Sequence, residues 1–420
     1  MMRSSALLLL VLVACDRTTA ETKTVETKPA DTKTVEAKTV EAKAVETKAV
    51  DTKVVVAPPV EPPPPVRDVL EAHTGELWND RAEGLALLKD GSYAVVGKCE
   101  PVESGREGEW DACVKLFDKD GERAATARIG GSGADEVFEA VIATPDGGFV
   151  AIGAAEVGGA REALAVKLDA QAKTVWQRTW GGAGDDTALA IITLGNGYVV
   201  TGSTHRPEQA LDVGVWWLDA DGKEIRERIF GGAQKDFAHA LAKLDDGFVL
   251  AGFTGSKGAG KDDAWVLRLD DNGDAKWDRT YGGPAHDGAF TLLVEPSGDL
   301  VIAGDSDGRG WIARIDGSGA PKHEARIEAA AKIRALVKSG DVIVGVGTAS
   351  DPLKPAWLGR FDAALALQSA RTFETPRAAA TDAIAMPDGG VALVGDWPSM
   401  NSNYANFWLC KLDAAGAGCP

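Results

Sequence analysis

The strongest constraint on this chain is a motif of about fifty residues that recurs along most of its length. It is plainest between Trp180 and Gly283, where two successive units each run from one Gly-Gly pair to the next. Each unit reads as four strands: a small-residue strand a after the glycine pair, a tight Asp-Gly turn, an aliphatic strand b ending in Gly, a variable loop, a strand c ending in Leu-Asp, a short turn, and strand d. The acid closing strand c recurs at Asp118, Asp169, Asp219, Asp270, Asp316, Asp362 and Asp413. Units of roughly 40–50 residues with four short strands each are the signature of propeller blades. The expected fold is therefore all-β, a seven-bladed β-propeller of four-stranded blades over residues 67–420, and the 49 glycines suit its many tight turns.

The two ends of the repeat region complement each other. After Asp413 only seven residues remain, AAGAGCP, too few for a full strand d. At the front, Val69 to Gly75 aligns with the strand d segment Ala125 to Gly131, so this segment is expected to complete the last blade and close the ring. Strand d runs from the tight-turn face to the loop face, which predicts that the chain enters at the tight-turn face. Blades five and six break the pattern, with Ala329-Ala330 and Ala331-Lys332 where the glycine pair and its loop belong, and distortion is expected there.

These repeats resemble bacterial lipoprotein propellers with GGxxxD, DGG and LDxxGxxxW motifs. More distantly they resemble the PQQ-type repeat family, through Leu269-Asp270-Asp271-Asn272-Gly273 followed by Trp277, and Leu168-Asp169 followed by Trp176. The resemblance implies architecture and no particular activity. The N-terminus agrees with it. Met1 to Arg3 give a positive start, and Ala6 to Val13 form an apolar run much shorter than the roughly 20 residues that span a bilayer. Leu12-Val13-Ala14-Cys15 then resembles a lipobox, which implies a signal peptide over residues 1–14 and acylation of Cys15. Acyl chains contribute about 0.8 kcal/mol per buried methylene, enough for stable anchoring when several are present. The expected place is the cell envelope, on the periplasmic side or surface of the outer membrane, with Asp16 leaving the inner membrane open.

Residues 15–66 are expected to form a disordered tether. Pentads of acid, Thr or Ala, Lys, Thr or Ala, and Val begin at Glu21, Glu26, Asp31, Glu36, Glu41, Glu46 and Asp51. A five-residue step turns a helix by about 500°, so the valines never line up into a stripe that could pack. Pro58 to Pro65 add a stiff polyproline piece. A flexible chain of this length reaches about 40 Å, at roughly 5–6 Å times the square root of the residue count.

A formal net charge of −18 argues against nucleic acid, whose phosphates call for clustered Lys and Arg. The expected partners are the membrane, through the lipid, and an envelope protein or glycan, with the chain itself a monomer. Setting Cys15 aside, four cysteines remain. Antiparallel pairing of strands b and c in the first blade brings Cys99 near Cys113, and the final hairpin around Asp413 to Gly416 sets Cys410 opposite Cys419. Export permits both disulfides.

Variable loops at Gly202 to Asp212, Gly252 to Asp263 and Gly395 to Asn406 share one face, whereas the other carries only short turns, so a ligand surface is expected among the loops. Two acidic series belong to that face. Asp135, Asp186, Asp236 and Asp287 follow the glycine pairs, and Asp111, Glu162, Asp212 and Asp263 precede strand c. They would suit a basic partner or Ca²⁺, or each would cap backbone N–H groups in its own turn. No other cofactor is expected. Trp265, Trp311, Trp357 and Trp408 share one register and read as packing between blades. His286-Asp287 is the one pair to test for acid–base work; serine-triad, HExxH and phosphate-loop patterns are absent. A tethered binding or scaffolding protein is the leading expectation. A polysaccharide-active hydrolase or lyase is one alternative and a structural envelope protein the other, and two carboxylates in one concave pocket would favour the enzyme.

Overall fold

A computed structural model describes residues 53–55, 71–73, 80–100, 110–130, 134–182, 184–206, 210–351, 356–373, 378–398 and 405–418. The repeats form seven antiparallel sheets, one per blade, at residues 81–129, 136–180, 187–230, 236–281, 287–327, 330–372 and 379–412. In blade one the strands are a (Arg81–Leu87), b (Tyr93–Cys99), c (Asp111–Phe117) and d (Arg123–Ile129), hydrogen-bonded in that order. Strand a of each blade packs against strand a of the next, and aliphatic and aromatic side chains fill the seams. This is a seven-bladed β-propeller.

The repeat's marker acid turns out to be a turn clamp. Asp118 Oδ1 accepts the backbone N–H groups of Asp120 and Glu122, and Asp169, Asp219, Asp270, Asp316 and Asp362 hold the same two positions in their own blades. Asp413 takes the N–H of Ala417. Such side-chain turns are a routine use of Asp, and the DKDG and DADG segments are hairpin turns.

The last blade consists of strands a (Ala379–Ala385), b (Val391–Pro398) and c (Ala405–Leu412), and its outer place is taken by β2 (Glu71–His73). β2 is antiparallel to strand c, Glu71 facing Cys410 and His73 facing Trp408, so the chain enters from the tight-turn face. Closure by the N-terminal segment and its direction are as the repeat predicts. One short element was not expected. Lys53–Val55, inside the segment read as tether, forms β1, which runs parallel to strand d of blade five (Pro321–Ile327) and makes that sheet five-stranded.

Blade six keeps four strands despite its missing glycine pair; the irregularity is absorbed by a second register shift in its strand a (Ala330–Ser339). The Cys99–Cys113 disulfide is present, with Cα atoms 5.8 Å apart. Its two residues sit on a diagonal, since Cys99 faces Asp111 and Cys113 faces Gly97. Cys410 is disulfide-bonded, while Cys419, its expected partner, lies outside the described residues. The lipobox with Cys15 lies outside them too, and among the described residues no helix is long and apolar enough to cross a membrane.

Candidate functional site

Every inner strand carries a bulge at the same place. Pairing of strand a with strand b skips Glu83, Glu139, Leu189, His239, Phe290, Arg334 and Thr381 in blades one to seven. A bulge leaves one residue outside the ladder and re-aims its side chain. Here all seven skipped residues line one cavity of about 290 Å³ on the axis of the ring.

Strand b explains why the bulge recurs. Near the bulge it always presents glycine: Gly97, Gly153, Gly202, Gly252, Gly304, Gly347 and Gly395. A Cβ at any of them would collide with a carbonyl oxygen of the bulged strand, that of Arg81 for Gly97 and of Ala379 for Gly395. The glycine that ends the aliphatic run in each repeat therefore makes room for the backbone that turns a side chain into the channel. Four of these glycines also face the regularly spaced tryptophans, Gly252 with Trp265, Gly304 with Trp311, Gly347 with Trp357 and Gly395 with Trp408. All four indoles are buried, as expected for packing residues.

The cavity wall is chemically two-sided. On blades one, two and seven it is acidic. Burial pushes the carboxyl of Glu139 up to about 7, with repulsion from Glu83 adding to it. Arg161, the nearest cation, stands 3.9 Å from Glu139 Oε1 and offsets only part of this shift. Glu83 is raised by burial as well, against the pull of Arg334, Lys98 and Arg81. Asp382, beside the bulge of blade seven, rises to about 6 through burial while accepting N–H bonds from Leu85 at 2.9 Å and Ala383 at 2.8 Å. Asp396 behind it rises to about 7, through burial and then through Glu83.

Blades four and five face these acids with an aromatic wall. His239 lies 4.9 Å from Phe290, 5.8 Å from Phe253 and 6.0 Å from Phe237, ring centre to ring centre. Burial, then Lys332 and Arg334, push its imidazole down to about 4, and its Nε2 is enclosed without a hydrogen-bond partner. Lys332 Nζ sits 4.0 Å from the Phe290 ring centre. Arg334 projects from blade six as an exposed guanidinium with no ion pair within 4 Å among the described residues.

The two acidic series expected to form an open arc are mostly turned inward. Asp186, Asp212, Asp236, Asp263 and Asp287 are buried. Asp186 accepts the N–H of Gly182 at 2.8 Å, Asp287 that of Gly283 at 2.8 Å, and Asp263 that of Gly260 at 2.9 Å. Asp212 and Asp236 converge on the N–H of Gly232 at 3.1 and 2.9 Å, and Asp212 is also paired with Arg206. Asp111 is half-buried, 3.6 Å from Arg128, and Glu162 is half-buried. Asp135 is exposed and accepts the N–H of Trp110 at 2.9 Å. Its loop is one residue longer, so Glu136 takes the place that Asp186, Asp236 and Asp287 hold before the other bulges. Among the described residues no group of three or more His, Cys, Asp or Glu is placed to hold a metal ion. The exposed His286 side chain is paired with Asp262 and not with its neighbour Asp287, its Nδ1 lying 2.6 Å from Asp262 Oδ2.

The channel residues were missed because a bulge breaks the alternation by which strand faces are read. The signal was nonetheless there, in the glycine ending each strand b.

No family model matches this chain, and neither does any curated protein. Among solved structures it is similar to the WD40 domain of Pan2 from Neurospora crassa, with a TM-score of 0.51 at 11% identity, covering 79% of this chain and 88% of that one. It is also similar to Sqt1 from Chaetomium thermophilum, with a TM-score of 0.50 at 14% identity over 83% and 86% of the two chains. At such identities the likeness carries the architecture alone, and what it identifies is a β-propeller.

Proposed function

We propose that this protein is a lipid-anchored, extracytoplasmic binding or scaffolding protein that presents its variable-loop face to a protein, glycan or cation. A propeller scaffold suits binding in general. The observation that most supports the finer reading is the direction of β2, which brings the N-terminal arm in at the tight-turn face. A chain held there by its N-terminus leaves the variable loops on the far side, where a partner can reach them. Replacing Cys15 with Ser is expected to move the protein from the detergent phase to the aqueous phase in phase separation. Partition of the mature wild-type protein into the aqueous phase would remove the anchor from this reading. On intact envelopes, a thiol-reactive probe is expected to label Ala259→Cys in a variable loop faster than Asp221→Cys in a tight turn. Equal or inverted rates would overturn the orientation.

Glu83 and Glu139 lining one cavity favour a second reading, a polysaccharide-active hydrolase or lyase, since a carboxyl near 7 can serve as a general acid. Under it, Glu139→Gln abolishes release of reducing or unsaturated ends from envelope polysaccharide. No release by the wild-type protein would end this reading.

A further inference from the structure

The internal repeat supplies seven versions of each channel position, and they differ in how far they vary. The residue two after the bulge is always apolar: Leu85, Val141, Ile191, Leu241, Leu292, Leu336 and Ala383. The bulged residue itself spans two acids, an aliphatic, an imidazole, an aromatic, a guanidinium and a hydroxyl. Packing would ask for one solution used seven times, so a position filled in six ways answers to something inside the channel.

What it answers to can be read from charges left apart. Ring order puts Arg334 on blade six across the channel from Glu139 on blade two. Among the described residues Arg334 has no ion pair within 4 Å and Glu83 has neither a hydrogen bond nor an ion pair, while Glu139 has only a long ion pair, to Arg161 at 3.9 Å. The half-buried carboxyls of Glu83 and Glu139 are costly as charges until they are paired, and Arg334 opposite them offers an exposed guanidinium. Between the two poles lie the apolar Leu189 and the His239–Phe290 wall. A cavity of about 290 Å³ holds a molecule the size of an amino acid.

We propose that the axial cavity binds a small zwitterion, with its ammonium on Glu83 and Glu139, its carboxylate on Arg334, and its apolar body against His239 and Phe290. This goes beyond the surface role argued above and uses neither the lipid anchor nor the loop tips.

Calorimetric titration of the full chain in detergent tests it with three probes that share one body: phenylalanine, phenethylamine, which lacks the carboxylate, and 3-phenylpropionate, which lacks the amine. Phenylalanine is expected to bind at least about tenfold more tightly than either of the others. Arg334→Gln is expected to reduce phenylalanine affinity to that of phenethylamine, and Glu139→Gln to that of 3-phenylpropionate. Both side chains line the cavity, and an unchanged far-ultraviolet circular dichroism spectrum serves as the folding control. Equal binding of the three probes, no binding of phenylalanine at about 10 mM, or an Arg334→Gln variant that binds phenylalanine as the wild type does would overturn the proposal. Such a failure leaves the surface reading standing, because the labelling of Ala259→Cys and Asp221→Cys does not involve the channel.

Discussion

The seam where blade seven meets blade one and the seam between blades three and four do the same job with different chemistry. Between blades three and four the inner contact is apolar, Val215, Trp217, Phe248, Leu250 and Trp265 packing together with Trp217 edge-on to Phe248 at 5.7 Å, and only at the outer turn does Arg226 donate to the Asn272 carbonyl at 2.9 Å. The inner two strands of these blades meet without a side-chain hydrogen bond among the described residues. The closing seam has an apolar layer of its own, Leu85, Tyr93, Val394 and Phe407 among it, but is stitched by polar groups. Asp382 and Asp396 accept N–H bonds from Leu85 and Ala82, and Thr381 donates to the Ala82 carbonyl at 2.8 Å. A fully buried ion pair, Lys115 with Asp80 at 2.6 Å, stands beside Phe407. Other seams carry directional bonds too, such as Leu336 N–H to Thr291 Oγ1 at 3.1 Å between blades five and six, but they join blades adjacent in sequence. Only the closing seam joins residues about three hundred positions apart, and there directional bonds distinguish the right partner from any other blade edge, including one on a second molecule.

The largest effect that would break this contrast is the loss of one charge. Lys115→Ala leaves Asp80 buried without its cation and is expected to cost about 3–5 kcal/mol in denaturant unfolding. The double change Lys115→Met with Asp80→Leu is expected to recover most of that stability, while favouring dimers and larger species in gel filtration. A double variant that elutes as the wild type does would show that the charges do not specify closure. Next in size is the disulfide, whose sulfurs pack in the same seam. Cys99→Ala with Cys113→Ala is expected to lower stability by about 2–4 kcal/mol, and a loss below half a kilocalorie per mole (about 0.5 kcal/mol, the scatter of surface substitutions) would mean that blade one holds its shape without it.

The smallest effect is a slope with pH. Asp382 and Asp396 have folded-state values of about 6 and 7, above the ordinary carboxyl value near 3.9. The native seam therefore holds protons that the unfolded chain releases, so this contribution is complete below about pH 4 and is lost as pH rises through 6 to 7. The thermal midpoint is expected to fall over that window, and Asp382→Asn with Asp396→Asn to flatten the fall. An unchanged slope in the double variant would assign the proton uptake elsewhere, with Glu139 the next group to test.

Those groups show where reading the sequence stopped. The blades, their number, the closing role of β2 and the Cys99–Cys113 bridge were legible, because each rests on local spacing: Asp clamping a turn, Gly relieving one, cysteines on adjacent strands. Asp382 and Asp396 were not, since what matters about them is burial against a blade some three hundred residues away. The acidic series was legible as a series and not as a surface. Nothing in GGxxxD says that the carboxylate turns back onto the glycine N–H, as Asp186 and Asp287 do. β1 escaped because its pairing with Ala325 to Ile327 needs no side-chain pattern, only a free strand edge.

The bulge has a consequence for how such a molecule can change over generations. One residue in each blade is excused from the ladder and from the core, and the glycine across from it keeps the excuse open whatever side chain follows. A substitution at Leu189 therefore touches neither the seams nor the turns, whereas Thr381, bonded across the closing seam, is the exception, and exchanging one repeat for another redraws a single sector of the channel. The gene carries this wall as seven separate characters spaced about fifty codons apart, each open to inheritance, loss or replacement on its own.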